Sequence, residues 1–269
     1  MIDRKQIKEL VPCLNLDPAH LPVLAGLWHM DGATARHDAV AWGYAKEAAK
    51  RGVEIHHLTE VQDFVVNRNQ VTAVKTNRGS IECGCVVQAV AGTSSLLMNK
   101  LKIRSPIQTF PLQAMVSQPF KPFLNPLVSS SALHCYVQQT SRGEIVFGGG
   151  SDPYPLYNTR STLDLKESLL AHAIEMFPFM ANVKLMRQWA GMTDMTPDYS
   201  PIMGQSPYDN YYLDAGWGTW GFKATPICGK TMAELVATGR TPDLIKPFEL
   251  SRFSRFQQVN EMGATAASH

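Results

Sequence analysis

Gly216-Trp217-Gly218-Thr219-Trp220-Gly221-Phe222-Lys223-Ala224-Thr225-Pro226 runs directly into Ile227-Cys228-Gly229-Lys230-Thr231-Met232-Ala233-Glu234-Leu235-Val236-Ala237-Thr238-Gly239. Three glycines within six residues allow a backbone to approach a flat ligand, and the segment after them carries helix signals. Thr225 suits an N-cap, Pro226 the first helical position and Gly239 a left-handed stop. A helix placed there aims its positive end and its unpaired N–H groups at whatever the turn holds, which favours an anion or an electron-rich ring edge. Lys223 adds a full charge just ahead of it. As a bare pattern, the same glycines also fit a plain tight turn.

Working outward, Trp189-Ala190-Gly191-Met192-Thr193-Asp194-Met195-Thr196-Pro197-Asp198 and Pro201-Ile202-Met203-Gly204 lead into a short strand, Tyr211 to Ala215, before the glycine turn. Upstream, residues 4–10 read as helix and a Pro-punctuated loop follows through Pro22. Small and apolar residues from Asp38 to Arg51, stopped by Gly52, read as a helix. Val53–Val65, Gln70–Asn77 and Ser80–Ala91 read as strands joined by turns at Arg68-Asn69 and Arg78-Gly79. Ser94–Lys102 and Ser161–Met176 read as helices, and Gln108–Ser117, Ala132–Gln139 and Glu144–Gly149 as strands.

Composition bounds the function. With 45% hydrophobic residues, 18% charged residues and a formal net charge of +2, the chain has no basic stripe for nucleic acid. No apolar run approaches membrane-spanning length, and the N-terminus is too charged for a signal peptide, so a cytoplasmic location is the expectation. Five scattered cysteines, Cys13, Cys83, Cys85, Cys135 and Cys228, suit reduced thiols. Cys83 and Cys85 share a face of one strand on this reading, with no second pair or nearby histidine to complete a metal site.

The order W-A-G-x-x-x-x-T-P-D-x-x-P-x-x-G, then G-W-G-T-x-G-F-K, resembles the C-terminal half of the FAD-dependent amine- and amino-acid-oxidising flavoproteins related to D-amino-acid oxidase. Within them it is most similar to the beta subunits of heterotetrameric sarcosine oxidases, from about residue 5 through the closing Glu261-Met262-Gly263-Ala264-Thr265-Ala266-Ala267-Ser268-His269. Gly32-Ala33-Thr34-Ala35-Arg36-His37-Asp38 resembles the stretch in which a histidine of that subunit carries covalent FMN. The resemblance gives that role to His37. A neutral imidazole is a competent nucleophile toward a flavin 8α-carbon, although on the residues alone His37 reads as a capping or exposed histidine.

The resemblance implies an α/β, glutathione-reductase-like FAD-binding fold. Residues 1–99 would hold the FMN-attachment helix and part of the FAD-binding domain. Residues 100–195 would form a mainly antiparallel substrate domain, and 196–269 a C-terminal FAD-contacting segment and tail. Val61 would lie near the adenine portion, with Ala91 and Gly92 approaching the dinucleotide. Gly216, Gly218, Thr219, Gly221, Phe222 and Lys223 would contact the flavin. Lys223 would hold the substrate carboxylate and place positive charge beside a reduced flavin, with Thr193 and Asp194 in the same region, although Lys223 also suits a surface lysine and the other two turn residues. The implied reaction is the oxidative demethylation of sarcosine. Electrons would pass from non-covalent FAD to the FMN on His37 and on to oxygen, giving hydrogen peroxide, while tetrahydrofolate in another subunit captures the one-carbon unit. Alpha, gamma and delta subunits would complete a heterotetramer.

Three departures stand out. Trp220 and Ala224 replace glycines of the usual motif, and Thr93 stands where a histidine is usual, so another secondary amine or an imino acid is an alternative substrate. The strand–G-x-G-x-x-G–helix unit that binds the FAD pyrophosphate is absent. Gly148-Gly149-Gly150 follows a strand, but Ser151-Asp152-Pro153-Tyr154-Pro155 cannot continue as helix. A truncation, a misplaced start or a split gene would each explain this, and a non-catalytic assembly fragment is the alternative from another class. A sheet missing its central strands would also expose unpaired edges.

Overall fold

The computed structural model describes residues 1–19 and 21–259, so the closing 261–269 motif lies outside the described residues. Helix α1 (Arg4–Leu10) starts with a capping box: the Gln6 N–H donates to Asp3 Oδ1 at 2.8 Å, and the Asp3 N–H donates to Gln6 Oε1 at 3.0 Å. Helix α2 (His37–Lys50) follows a long loop and buries none of its residues. Strands β1 (Val61–Asn67), β2 (Gln70–Thr76) and β3 (Gly79–Glu82) form an antiparallel sheet. The strand expected from Val53 therefore starts only at Val61.

The single strand expected over Ser80–Ala91 is two, because the chain leaves the first sheet after β3 and enters a different sheet as β4 (Val86–Gln88). Cys83 and Cys85 flank the break at Gly84 and share no strand face. A 3-10 turn (Ala91–Thr93) leads into α3 (Ser94–Lys100).

Next come β5 (Gln108–Pro119), β6 (Val128–Ser130), β7 (Cys135–Gln139), β8 (Glu144–Ser151), α4 (Leu163–Met176) and β9 (Leu185–Met195). The strands build a five-stranded antiparallel sheet in the order β6-β7-β8-β5-β9. Residues 132–134, expected to begin β7, form a turn instead. The glycine run belongs to β8, where packing demands it. A Cβ on Gly148 would lie 2.7 Å from Gln113 O, one on Gly149 2.5 Å from His134 O, and one on Gly150 2.9 Å from Leu165 Cδ1. The absent side chains let β8 sit against β5, the turn before β7, and α4.

Strand β10 (Ile202–Gln205) pairs antiparallel with β11 (Tyr211–Ala215), which pairs parallel with β4, giving the order β10-β11-β4. Helix α5 (Gly221–Thr238) ends on Gly239 in the left-handed region, as the sequence indicates. Its start does not match expectation: the helix begins at Gly221, and Pro226 lies inside it.

One apolar core joins α1, β5, β7, β8 and α4 through Ile7, Met115, Val137, Phe147 and Leu169. A second joins the first sheet, α3 and the β10–β11 pair through Phe64, Met98, Ile202 and Tyr211. A third, smaller core packs Met203 against Met232, Leu235 and Ile245.

Candidate functional site

The C-terminal end of β9 organises the residues singled out by the sequence. The Gly218 N–H donates to the Asp194 carbonyl at 3.0 Å, and the Gly216 N–H donates to Asp194 Oδ2 at 2.5 Å. Gly216 and Gly218 have φ of 73° and 53°, and Cβ atoms there would meet Thr196 Cγ2 at 2.6 Å and Met195 Sδ at 2.7 Å. Both glycines are required by the turn's own conformation and its contact with β9. On the other side, a Cβ on Gly92 would lie 2.4 Å from Met192 Cβ, and Thr109 Oγ1 donates to Gly92 O at 2.7 Å. Ala91 holds φ of 44° at this junction.

Asp194 is buried, and desolvation raises its carboxyl above the ordinary carboxylate range against the pull of the turn amides. Asp214 accepts from Trp217 Nε1 at 2.6 Å; burial again raises it, with the Asp194 charge adding to the effect. Two carboxylates thus brace the Gly216–Gly218 turn, Asp194 at the Gly216 amide and Asp214 at the Trp217 indole.

Helix α5 leaves this turn with no side-chain cap and no acidic residue in its first turn. Its first N–H groups and the exposed Lys223 therefore present positive potential. Lys223 Nζ lies 4.3 Å from the Trp220 ring centroid, and both residues border a cavity of about 690 Å³ with Trp217, Cys228 and Phe248. Thr193 and Thr219 border a different cavity, of about 730 Å³, beside Phe110, Asp152, His134 and His172. Lys223 and Thr193 thus border two cavities that share Tyr199 in their walls, and the Asp194 carboxylate serves the turn.

Asp152 is 4% exposed and held at both oxygens, accepting from Gln113 Nε2 at 2.9 Å and Thr162 Oγ1 at 2.7 Å. Among the described residues no lysine or arginine lines this cavity, so the Asp152 carboxylate meets no such side chain across the apolar surface. Sequence reasoning took Asp152 only as part of a helix-breaking run and passed over His134 and His172. Their only shared signal is proximity in space.

His37 opens α2, exposed, behind an Arg36 N-cap that makes no side-chain cap hydrogen bond. Val61 begins β1, in a separate sheet from the β9 hub. Among the described residues no cluster of His, Cys, Asp or Glu has metal-site geometry, and no helix is long and apolar enough to cross a membrane.

A family model described as FAD dependent oxidoreductase matches residues 1–235. The chain is 42% identical over 268 residues to the sarcosine oxidase subunit beta of Rhodobacter capsulatus, covering all of this chain and 64% of that protein. It is 40% identical to the subunit of the same name from Arthrobacter sp, covering 98% of this chain and 66% of that one. The chain thus spans about two thirds of the length of these relatives. Among solved structures, L-proline dehydrogenase from P. horikoshii superposes with a TM-score of 0.87 at 29% identity, over 96% of this chain and 69% of that one. Glycine oxidase from Geobacillus kaustophilus gives 0.81 at 22% identity, over 93% and 66%, and bears on the fold alone.

Proposed function

The chain belongs to the FAD-dependent oxidoreductase family, and from that membership we propose that it is the greater part of a subunit that oxidises a small secondary amine, sarcosine first. The observation that carries this reading is the 730 Å³ cavity, bordered by Thr193 and by Thr219 of the glycine turn and walled by buried Asp152 with no lysine or arginine among the described lining residues. A cationic or zwitterionic amine is the ligand such a wall attracts. Phe110, Leu112, Leu165 and Leu169 keep the amine's alkyl carbon away from water.

The residues at the turn fit FAD. An uncapped α5 N-terminus beside a lysine suits the electron-rich edge of a flavin ring, and FAD, when bound, supplies the two-electron oxidation of the carbon–nitrogen bond. The work of this chain is to hold that edge at Gly216–Phe222 and to keep the amine against Asp152. Lys223 supplies charge to the same end of the helix. Its contact with Trp220 is worth about 0.5–1 kcal/mol at an exposed site, a small hold to release when a substrate carboxylate approaches.

His37, exposed at a helix start, is the proposed attachment point for FMN, from which electrons reach oxygen; partner subunits corresponding to alpha, gamma and delta would complete the assembly and supply the tetrahydrofolate site. The relatives named sarcosine oxidase subunit beta support this reading. A cyclic imino acid is the second reading, favoured by the likeness to L-proline dehydrogenase.

The test is production of the chain with flavin supply, its partner subunits and the remaining length found in its relatives, followed by intact mass of the denatured chain and peroxide release from sarcosine and proline. An FMN-mass adduct lost in His37→Ala, with peroxide from sarcosine, is expected. Unmodified mass overturns the FMN assignment, and peroxide from neither amine overturns the reaction.

A further inference from the structure

The cavity beside Asp152 is bordered by a histidine, one of whose ring nitrogens the described residues leave unsatisfied. His172 Nδ1 is buried and has no hydrogen-bond partner among the described residues, while the His172 ring borders the cavity. A neutral imidazole carries a single N–H. Placed on Nδ1, that hydrogen becomes a buried donor without an acceptor, a rarer arrangement in proteins than an under-used acceptor. The Nε2–H tautomer avoids this, and Nε2 is then the ring's polar atom available to the cavity.

The position of the ring is fixed by its helix. Leu165 of α4 packs where Gly150 of β8 has no side chain, a Cβ there falling 2.9 Å from Leu165 Cδ1, and Leu169 is 1% exposed in the core beneath. Ser168 stands one turn before His172 and borders the same cavity. The α4 wall therefore offers an imidazole N–H and a hydroxyl, both able to donate, whereas the Asp152 wall offers negative charge. At about 730 Å³ the space is of the size that holds drug-sized ligands, roughly 300–1,000 Å³, and sarcosine fills little of it.

We propose that the amine taken by this cavity bears a second oxygen acceptor, a side-chain carboxylate or carbonyl beyond its α-carboxylate, which the His172 Nε2–H binds at the α4 wall with Ser168 beside it. The proposal rests on the amine-oxidase reading above and specifies its substrate class. An N-methyl amino acid with an acidic or amide side chain meets both walls; sarcosine meets one.

The experiment compares N-methyl-L-aspartate with N-methyl-L-valine, a probe of similar shape without the acceptor, in calorimetric titrations of the flavin-loaded assembly. Tenfold or tighter binding of the aspartate derivative is expected, with the preference abolished in His172→Leu and partly kept in His172→Gln, whose amide still donates. Nitrogen-15 NMR of labelled histidines reads the tautomer independently of turnover: His172 should show Nε2–H and shift only with the acidic probe. Equal binding of the two probes, or a preference that survives His172→Leu in a protein of unchanged circular dichroism, overturns the proposal. If His172→Leu does not fold, His172→Gln and the NMR shift decide. Anaerobic flavin bleaching separates the two claims. Bleaching by both probes with equal affinity sinks the His172 assignment alone, whereas a His172-dependent preference without bleaching sinks the oxidase reading alone.

Discussion

Arg252 is the largest fully buried side chain, and its guanidinium is completely used. Nε and Nη2 donate to the Asp198 carboxylate at 2.8 and 3.0 Å, and Nη1 and Nη2 also reach the Phe248, Glu249 and Ser200 carbonyls. Burial acts to raise the Asp198 carboxyl, but the Arg252 contacts together with the Val259 and Ser200 amides outweigh it and leave it below its ordinary 3.8. Its contribution to stability is therefore present above pH 3.8 and lost as pH falls through the lower folded value. Asp194 and Asp214 have the opposite sign. With folded values above 3.8, they bind more protons folded than unfolded, so their effect on stability worsens as pH rises from 3.8 through the raised values. Arg252→Ala should cost about 3–5 kcal/mol in urea unfolding, because it strands a buried carboxylate; a loss under 1 kcal/mol would contradict the pairing. Asp214→Asn keeps an acceptor for Trp217 and should flatten the fall in stability above pH 3.8; an unchanged profile would refute the raised carboxyl. Gly216→Ala should lose about 1–3 kcal/mol through its positive φ, while Gly191→Ala, with open space at its Cβ, should stay within about 0.5 kcal/mol.

At the scale of elements, α5 shows what local signals miss. Pro226 reads as a helix start, yet it sits six residues into the helix, where its missing N–H leaves only the Phe222 carbonyl without its usual donor. The adjacent Thr225 Oγ1 donates to Gly221 O at 3.1 Å. Tertiary packing of Met232 and Leu235 holds the helix in place despite the proline. Pro226→Ala should therefore raise stability by about 1–3 kcal/mol in thermal or urea unfolding, and a loss would mean that the proline is needed where it stands. Elements with an amphipathic face or terminal punctuation, such as α1, α4 and the Gly239 stop, were legible within a residue or two. Strand β9 was not: it is an edge strand whose exposed and half-buried residues do not alternate cleanly, so period-two reasoning finds no purchase. The 730 Å³ cavity was legible only at Thr193 and Thr219. His134 lies in the turn before β7, Asp152 just past β8 and His172 on α4, and no spacing along the chain links them.

Across the whole molecule, the resemblance carried by the W-A-G and G-W-G-T motifs located the family, while the surface of the chain reports what its length leaves open. Among the described residues, the outer edge of β4 has no neighbouring strand, and Val87 upon it is 44% exposed. Helix α2 buries nothing, and Trp42 on it is 64% exposed. An open edge and exposed apolar surface each favour association, so this chain expressed alone should self-associate, and Val87→Lys should reduce light scattering at equal concentration. Scattering unchanged by the lysine would place the association elsewhere. The most direct test of the oxidase reading is anaerobic addition of sarcosine to the flavin-loaded assembly, monitored by the visible flavin absorbance. Loss of the oxidised-flavin band, restored by air with peroxide release, is the predicted result; a band that stays at full height with sarcosine and with every other secondary amine would contradict it.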